Sequence, residues 1–155
     1  MANNYTMASF KVAMPEDQAA WIIGAVACAD NNFSGTEDKK PVPPEYATFL
    51  ERLMDQGHEH AGCENLQHYQ DGKLWIGGME AFNPEYVAIL LHEWMLAFDT
   101  EGRAVSFQFA EICDKPRPDE FGGGAVVVSH SGIEFLHTAT WVEQTINELT
   151  ESQGA

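Results

Sequence analysis

The run YTMASFKVA, residues 5–13, mixes aromatic, β-branched and small residues in partial alternation, the period of a strand with one covered face. Pro15 follows and opens a helix, with Glu16 and Asp17 in its first turn against the positive end of the helix dipole. Ala19, Ala20, Trp21, Ile22, Ile23, Ala25 and Val26 run almost without a polar break, which predicts a helix buried on more than one side. The polar stretch from 29 to 44, rich in Gly and Pro, reads as an exposed connection. Beyond it Tyr46, Phe49, Leu50 and Leu53 recur at helical spacing, and Gly57 is placed to end this second helix in a left-handed conformation.

The segment ENLQHYQDGKLWIGGME predicts two strands joined at Asp71-Gly72, a dipeptide that supplies the positive φ angles of a tight hairpin. In NPEYVAILLHEWMLAFDTEG, Asn83 is a helix cap, Pro84 the first helical residue, and apolar residues follow at helical spacing. Strands are expected from Ala104 to Ile112 and from Ala125 to Ser129, and TATWVEQTINEL closes the chain as a helix with Thr140 and Glu143 as its capping box. This order predicts a single α+β domain over residues 1–155: a two-layer sandwich with a mainly antiparallel sheet of about five strands and helices on one face. The first four strands and two main helices follow the split β-α-β order of ferredoxin-like domains.

A chain of 155 residues, 45% apolar, buries a core without disulfide or metal staples. Charge narrows the function more sharply. Twenty-four acidic residues against eight Lys and Arg give −16, a field that repels nucleic acid and anionic membranes. The same field attracts a basic protein surface, or imitates the phosphate track that such a surface holds. Cys28, Cys63 and Cys113 are widely spaced without a CxxC pair, which fits reduced thiols in a cytoplasm. The first residues show no basic region followed by an apolar core, and no apolar run approaches a membrane span. Monomer and dimer both remain open.

Candidate chemistry is sparse. In CDKPRPDEFGGGAVVVSH, residues 113–130, the three glycines lead into a strand and no Lys follows them, whereas a phosphate loop leads into a helix. The stretch is then either a long hairpin connection, stiffened by Pro116 and Pro118 and bent by the glycines, or a recognition loop displaying Lys115, Arg117, Glu120 and Phe121. His58, His60, Cys63 and His68 are ligand types suited to zinc, but they straddle a helix end, a loop and a strand. Ser129 and His130 point to opposite faces if extended, and His92 with Glu93 reads as a solvated helix edge, so no catalytic residue is assigned.

The segment CDKPRPDEFGGGAVVVS, preceded by VSFQFAEI and KLWIGGMEAFNPEYVAILLHEWMLAF, resembles small uncharacterised proteins of bacteriophages and other mobile elements. The resemblance covers the C-terminal half of the chain. It implies an accessory protein of the host cytoplasm and carries no activity, cofactor or catalytic residue. Joined to the charge, it yields the expectation of a non-enzymatic protein that binds a basic host protein, as an inhibitor of a nucleic-acid-binding or defence system. Glu143, Glu148 and Glu151 on the last helix are candidate contacts together with the 115–121 loop. The alternative is a small metal-dependent enzyme or metal-binding domain using the His58–His68 segment.

Overall fold

Alternation decides which face of the sheet is covered. The computed structural model describes residues 2–35 and 41–153, and among these the chain forms six strands: β1 (Asn4–Ala13), β2 (His68–Gln70), β3 (Lys73–Gly78), β4 (Ala104–Cys113), β5 (Gly122–Ser129) and β6 (Gly132–His137). In β1, buried Ala8 and Val12 alternate with exposed Ser9, Lys11 and Ala13; in β4, buried Phe107 and Phe109 alternate with Ser106, Gln108 and Ala110. The strands lie in the order β2-β3-β1-β4-β5-β6 and every neighbouring pair is antiparallel.

The fold is therefore α+β with an open antiparallel sheet, but of six strands rather than about five, and the expected ferredoxin-like order is not matched exactly. The difference is at one edge, where β5 and β6 extend the sheet beyond β4. β6 was legible in principle. Gly132 at a turn precedes Ile133, Phe135 and His137 at alternate positions, a strand signal short enough to be read as part of a loop.

Four helices accompany the sheet: α1 (Glu16–Phe33), α2 (Ala47–Gln56) after a single 3₁₀ turn at Pro44–Tyr46, α3 (Pro84–Phe98) and α4 (Thr138–Gln153). α1 runs into the stretch read as a connection because Ala29 is packed and Phe33 lies against the core; residues 36–40 of that stretch lie outside the described residues. Gly57 ends α2 with φ 74°, and the Asp71-Gly72 hairpin has φ 54° and 76°, as the sequence predicts. The Thr140–Glu143 capping box does not form at a helix start, because α4 begins at Thr138 and Thr140 is already inside it.

α3 is the centre of the molecule. Tyr86 to Leu91 and Glu93 to Met95 are all buried, against β5 and β6 on one side and α1 and α2 on the others. Each large apolar side chain so buried contributes about 1.5–3 kcal/mol. Polar contacts fix its orientation: Trp94 Nε1 donates to Gln18 Oε1 at 2.9 Å, and the Arg103 guanidinium lies 5.0 Å from the Trp94 ring centre. Glu93 is not at a solvated edge. It is buried and accepts from Arg52 of α2 at 2.9 Å, while the same guanidinium reaches His92 Nδ1 at 2.8 Å.

The three glycines are part of β5, not of the preceding bend. A Cβ on Gly123 would stand 2.4 Å from Phe109 O, and one on Gly124 would stand 2.2 Å from Leu136 O and 2.6 Å from the Phe109 ring. Close approach of neighbouring strands, rather than a turn, requires them.

Two stability predictions follow from this packing. Gly123→Ala and Gly124→Ala should each lower the unfolding midpoint, with Gly122→Ala the mildest of the three because its Cβ would meet only Thr138 Oγ1 at 3.0 Å; equal tolerance of all three in thermal denaturation would contradict the close approach. Arg52→Ala should cost about 2–3 kcal/mol in urea unfolding by leaving the Glu93 carboxylate buried without its cation, and Glu93→Gln in the same chain should restore part of it. A loss within about 0.5 kcal/mol, the usual effect of a surface substitution, would show that the pair is not structural.

Candidate binding surface

The segment from His58 to His68 is used for structure. Asn83 Oδ1 accepts from Tyr86 N at 3.1 Å and so caps α3, while Asn83 Nδ2 donates to His60 O at 3.2 Å and Asn83 N donates to Ala61 O at 2.9 Å. His58 is drawn into this junction, with Nδ1 3.4 Å from Asn83 Nδ2 and Nε2 2.8 Å from a Glu85 carboxylate oxygen. His60 is exposed, Cys63 donates to Ala61 O, and His68 sits on β2 beside the Trp75 ring. The four proposed ligands are thus spread over a helix end, a loop and a strand. Among the described residues no group of three or more His, Cys, Asp or Glu side chains converges to hold a metal ion. Burial, reinforced by the charges of Asp30 and Glu64, pushes the Cys63 thiol up to about 12.

The residues considered for catalysis do not assemble either. Ser129 Oγ meets Ser131 Oγ at 2.9 Å, and His130 stands 3.6 Å from Asp99. His92 meets Arg52 at Nδ1 and reaches His130 O with Nε2 at 3.2 Å, which makes it a structural link between α2 and the turn after β5. His137 hydrogen-bonds the Glu111 carboxylate beside the Phe109 ring, on a cleft of about 420 Å³ that Thr6, Glu85, Phe135 and Thr140 also line. The Thr6 and Thr140 hydroxyls share that cleft with the pair, and no Ser or Cys is among its lining residues.

The 114–121 loop folds back on the start of the chain: Asp114 N donates to Asn3 O at 3.0 Å and Asn3 N donates to Asp114 Oδ1 at 2.8 Å. Asp119 in it takes a left-handed conformation, with φ 64°. Lys115, Arg117 and Phe121 are exposed, and among the described residues neither cation forms an ion pair with the loop's own acids. Glu120 differs from them. It is half-buried and turned onto Cys113, whose thiol it holds up by hydrogen bonding.

α4 flanks this loop. Thr138 Oγ1 accepts from Gly123 N at 3.0 Å, tying the first turn to β5, and beyond it Trp141, Val142, Ile146 and Leu149 are 45–58% exposed. At about 100° per residue these four form one stripe, and Glu143, Glu148 and Glu151 all fall outside it on the remaining circumference. Val142 and Ile146 face Phe121 across a cleft of about 450 Å³. The acidic residues were expected at this surface. The apolar stripe beside them was missed, although its helical spacing is present in TATWVEQTINEL; its exposure depends on where the helix sits.

Comparison of the chain with family models, with curated proteins and with solved structures finds no match. Among the described residues no helix is long and apolar enough to cross a membrane.

The Cys63 environment gives a direct check on the packing of this segment. With its pKa pushed up to about 12, the thiol stays protonated at pH 8, and iodoacetamide should label it far more slowly in the folded chain than in urea. Rapid native labelling at Cys63, located by peptide mass spectrometry, would contradict that burial.

Proposed function

We propose that the chain is a non-enzymatic accessory protein that binds a host protein through an acidic surface, with a basic face of that protein as its target. One observation carries the reading: α1, α2, α3 and α4 contain a single Lys or Arg between them, Arg52, and that cation is turned inward onto Glu93. Their acids Glu16, Asp17, Asp30, Glu51, Asp55, Glu85, Glu143, Glu148 and Glu151 are exposed with no helical cation to offset them. Such a surface steers a basic partner toward it and disfavours direct contact with phosphate backbones. A nucleic-acid-binding or defence protein of the host is the kind of target that presents a complementary groove. The resemblance to mobile-element proteins supports that setting.

The exposed loop cations Lys115 and Arg117 belong to the loop whose Asp119 and Phe121 border α4, and they give the surface a mixed character that fixes orientation rather than affinity. Replacing Glu143, Glu148 and Glu151 together by Lys should slow association with a partner captured from nuclease-treated host lysate by about tenfold, with a smaller change in dissociation. Capture should also fall steeply between about 0.1 M and 0.5 M salt, as exposed charges are screened. An unchanged association rate in the triple variant and salt-insensitive capture would refute an electrostatic surface.

A further inference from the structure

The cleft of about 420 Å³ that holds the His137–Glu111 pair is the middle of a longer groove. It shares Thr6, Glu111 and His137 with a cleft of about 210 Å³ toward the 114–121 loop, and Glu85 and Phe135 with one of about 350 Å³ toward α3. Glu85, Glu111, Asp119 and Glu120 line this groove, and among the described residues no Lys or Arg does. Both carboxylates of the middle cleft are held in place by an imidazole: His137 hydrogen-bonds Glu111 Oε1, and His58 Nε2 stands 2.8 Å from Glu85 Oε2. A carboxylate accepts at about four positions, so one imidazole orients it and leaves it open to further donors. On the loop side, Glu120 Oε2 is shut off from solvent with no hydrogen-bond partner among the described residues. An acceptor in that position is costly until a donor reaches it.

The groove also has a flat apolar wall. Phe135 is 40% exposed, and its ring lies 5.7 Å from that of Phe109 at an angle of 45°. Phe109 in turn is stacked at 17° on the His137 ring that holds Glu111, so a fixed carboxylate stands among aromatic faces. That environment suits a planar, delocalised cation, which stacks on a ring and forks onto a carboxylate. An ammonium is compact, strongly hydrated and has three donors. A guanidinium has five, and the middle cleft offers two carboxylates and the Thr6 and Thr140 hydroxyls to meet them.

We infer that this groove receives an arginine side chain of the partner protein, its guanidinium against Phe135 and forked onto Glu111, with Glu85 and Thr140 taking the remaining N–H groups. This anchor rests on the basic partner proposed above and names the residue by which it is gripped. Arginine within a polypeptide is favoured over the free amino acid, whose α-carboxylate would enter a groove lined by four acids. The groove continues past the anchor toward Glu120 on one side and Ile133 on the other, which gives the flanking residues of a chain a path to follow.

The test is an NMR titration of the isotopically labelled full chain with acetyl-Gly-Arg-Gly-amide and its citrulline and lysine counterparts, at about 0.05 M salt so that screening is weak. The arginine peptide should give saturable shifts concentrated at Glu85, Glu111, Phe135, His137 and Thr140, with a dissociation constant on the order of 1 mM, a scale suited to one anchored side chain. Citrulline keeps the shape without the charge and should give no saturable shifts, and lysine should bind at least threefold more weakly. Glu111→Gln keeps an acceptor for His137 and should weaken the arginine peptide about tenfold. If that variant lowers the unfolding midpoint, Glu85→Gln, in the exposed first turn of α3, gives the reading, with at least threefold weaker binding expected. Glu101→Gln, the same change of charge at an exposed site before the other end of β4, should leave binding unaltered. Shifts spread evenly over the acidic helices, citrulline or lysine binding as tightly as arginine, or wild-type binding by both groove variants would overturn the inference. Should the peptide fail while lysate capture still falls with salt, the basic partner stands and its contact lies elsewhere. Shifts in the groove without a captured partner would keep the arginine site and sink the partner reading.

Discussion

Burying α3 obliges the chain to anchor its start at one point, and Asn83 does this. Its side-chain oxygen satisfies the Tyr86 amide of the first helical turn, its side-chain nitrogen holds His60 O, and its backbone N–H takes Ala61 O. An uncapped helix end in this position would leave orphan donors away from water, at a cost of about 1 kcal/mol or more for the missing cap alone. With the junction closed, α3 enters the molecule at a fixed angle and presents Ile89 toward the β6 edge, Trp94 toward α1 and Glu93 toward Arg52 of α2. His58, His60 and Ala61 are committed to the same junction, and among the described residues the ligand-type side chains of the segment do not converge.

The consequence for charge is that two of the eight cations are spent on packing. Arg52 closes the α2–α3 contact, and Arg103 lies over Trp94. Both uses are packing as much as pairing, since the long stems cover apolar surface while the guanidinium finds its partner. What remains outside on the helices is acidic. On α4 that acidity borders the apolar stripe, with Glu143 beside Val142 and Ile146 at the cleft under Phe121, so one helix offers an apolar face that gains by leaving water and an acidic flank that acts at a distance through its field.

Much of this was legible in the chain where the signal is local. Asp71-Gly72, the Asn83-Pro84 start of α3 and Gly57 after α2 each dictate a backbone conformation by their own chemistry, and each is found where the residues require it. Signals that depend on tertiary neighbours were not legible. The glycines 122–124 look like a flexible bend in sequence, yet they are inside a strand because Phe109 and Leu136 press against them from both sides. Glu93 looks like a solvated helix residue until α2 brings Arg52 across. The acidic outer face of α4 follows from composition and helical period. The exposure of Trp141 beside it depends on the abrupt junction of β6 and α4, which no local pattern announces, and Glu120 looked displayed only because nothing in sequence places Cys113 beneath it.

The central claim is that the α4 end of the molecule is completed by what it binds, while the α3 core stands on its own. Native-state hydrogen exchange of the full chain, alone and with the captured partner added, tests it most directly. The account predicts slow exchange in α3 throughout, and α4 amides beyond its first turn that exchange rapidly in the chain alone and become protected on partner binding. Amides 141–151 exchanging as slowly as those of α3 in the chain alone, or remaining fast under both conditions, would contradict it.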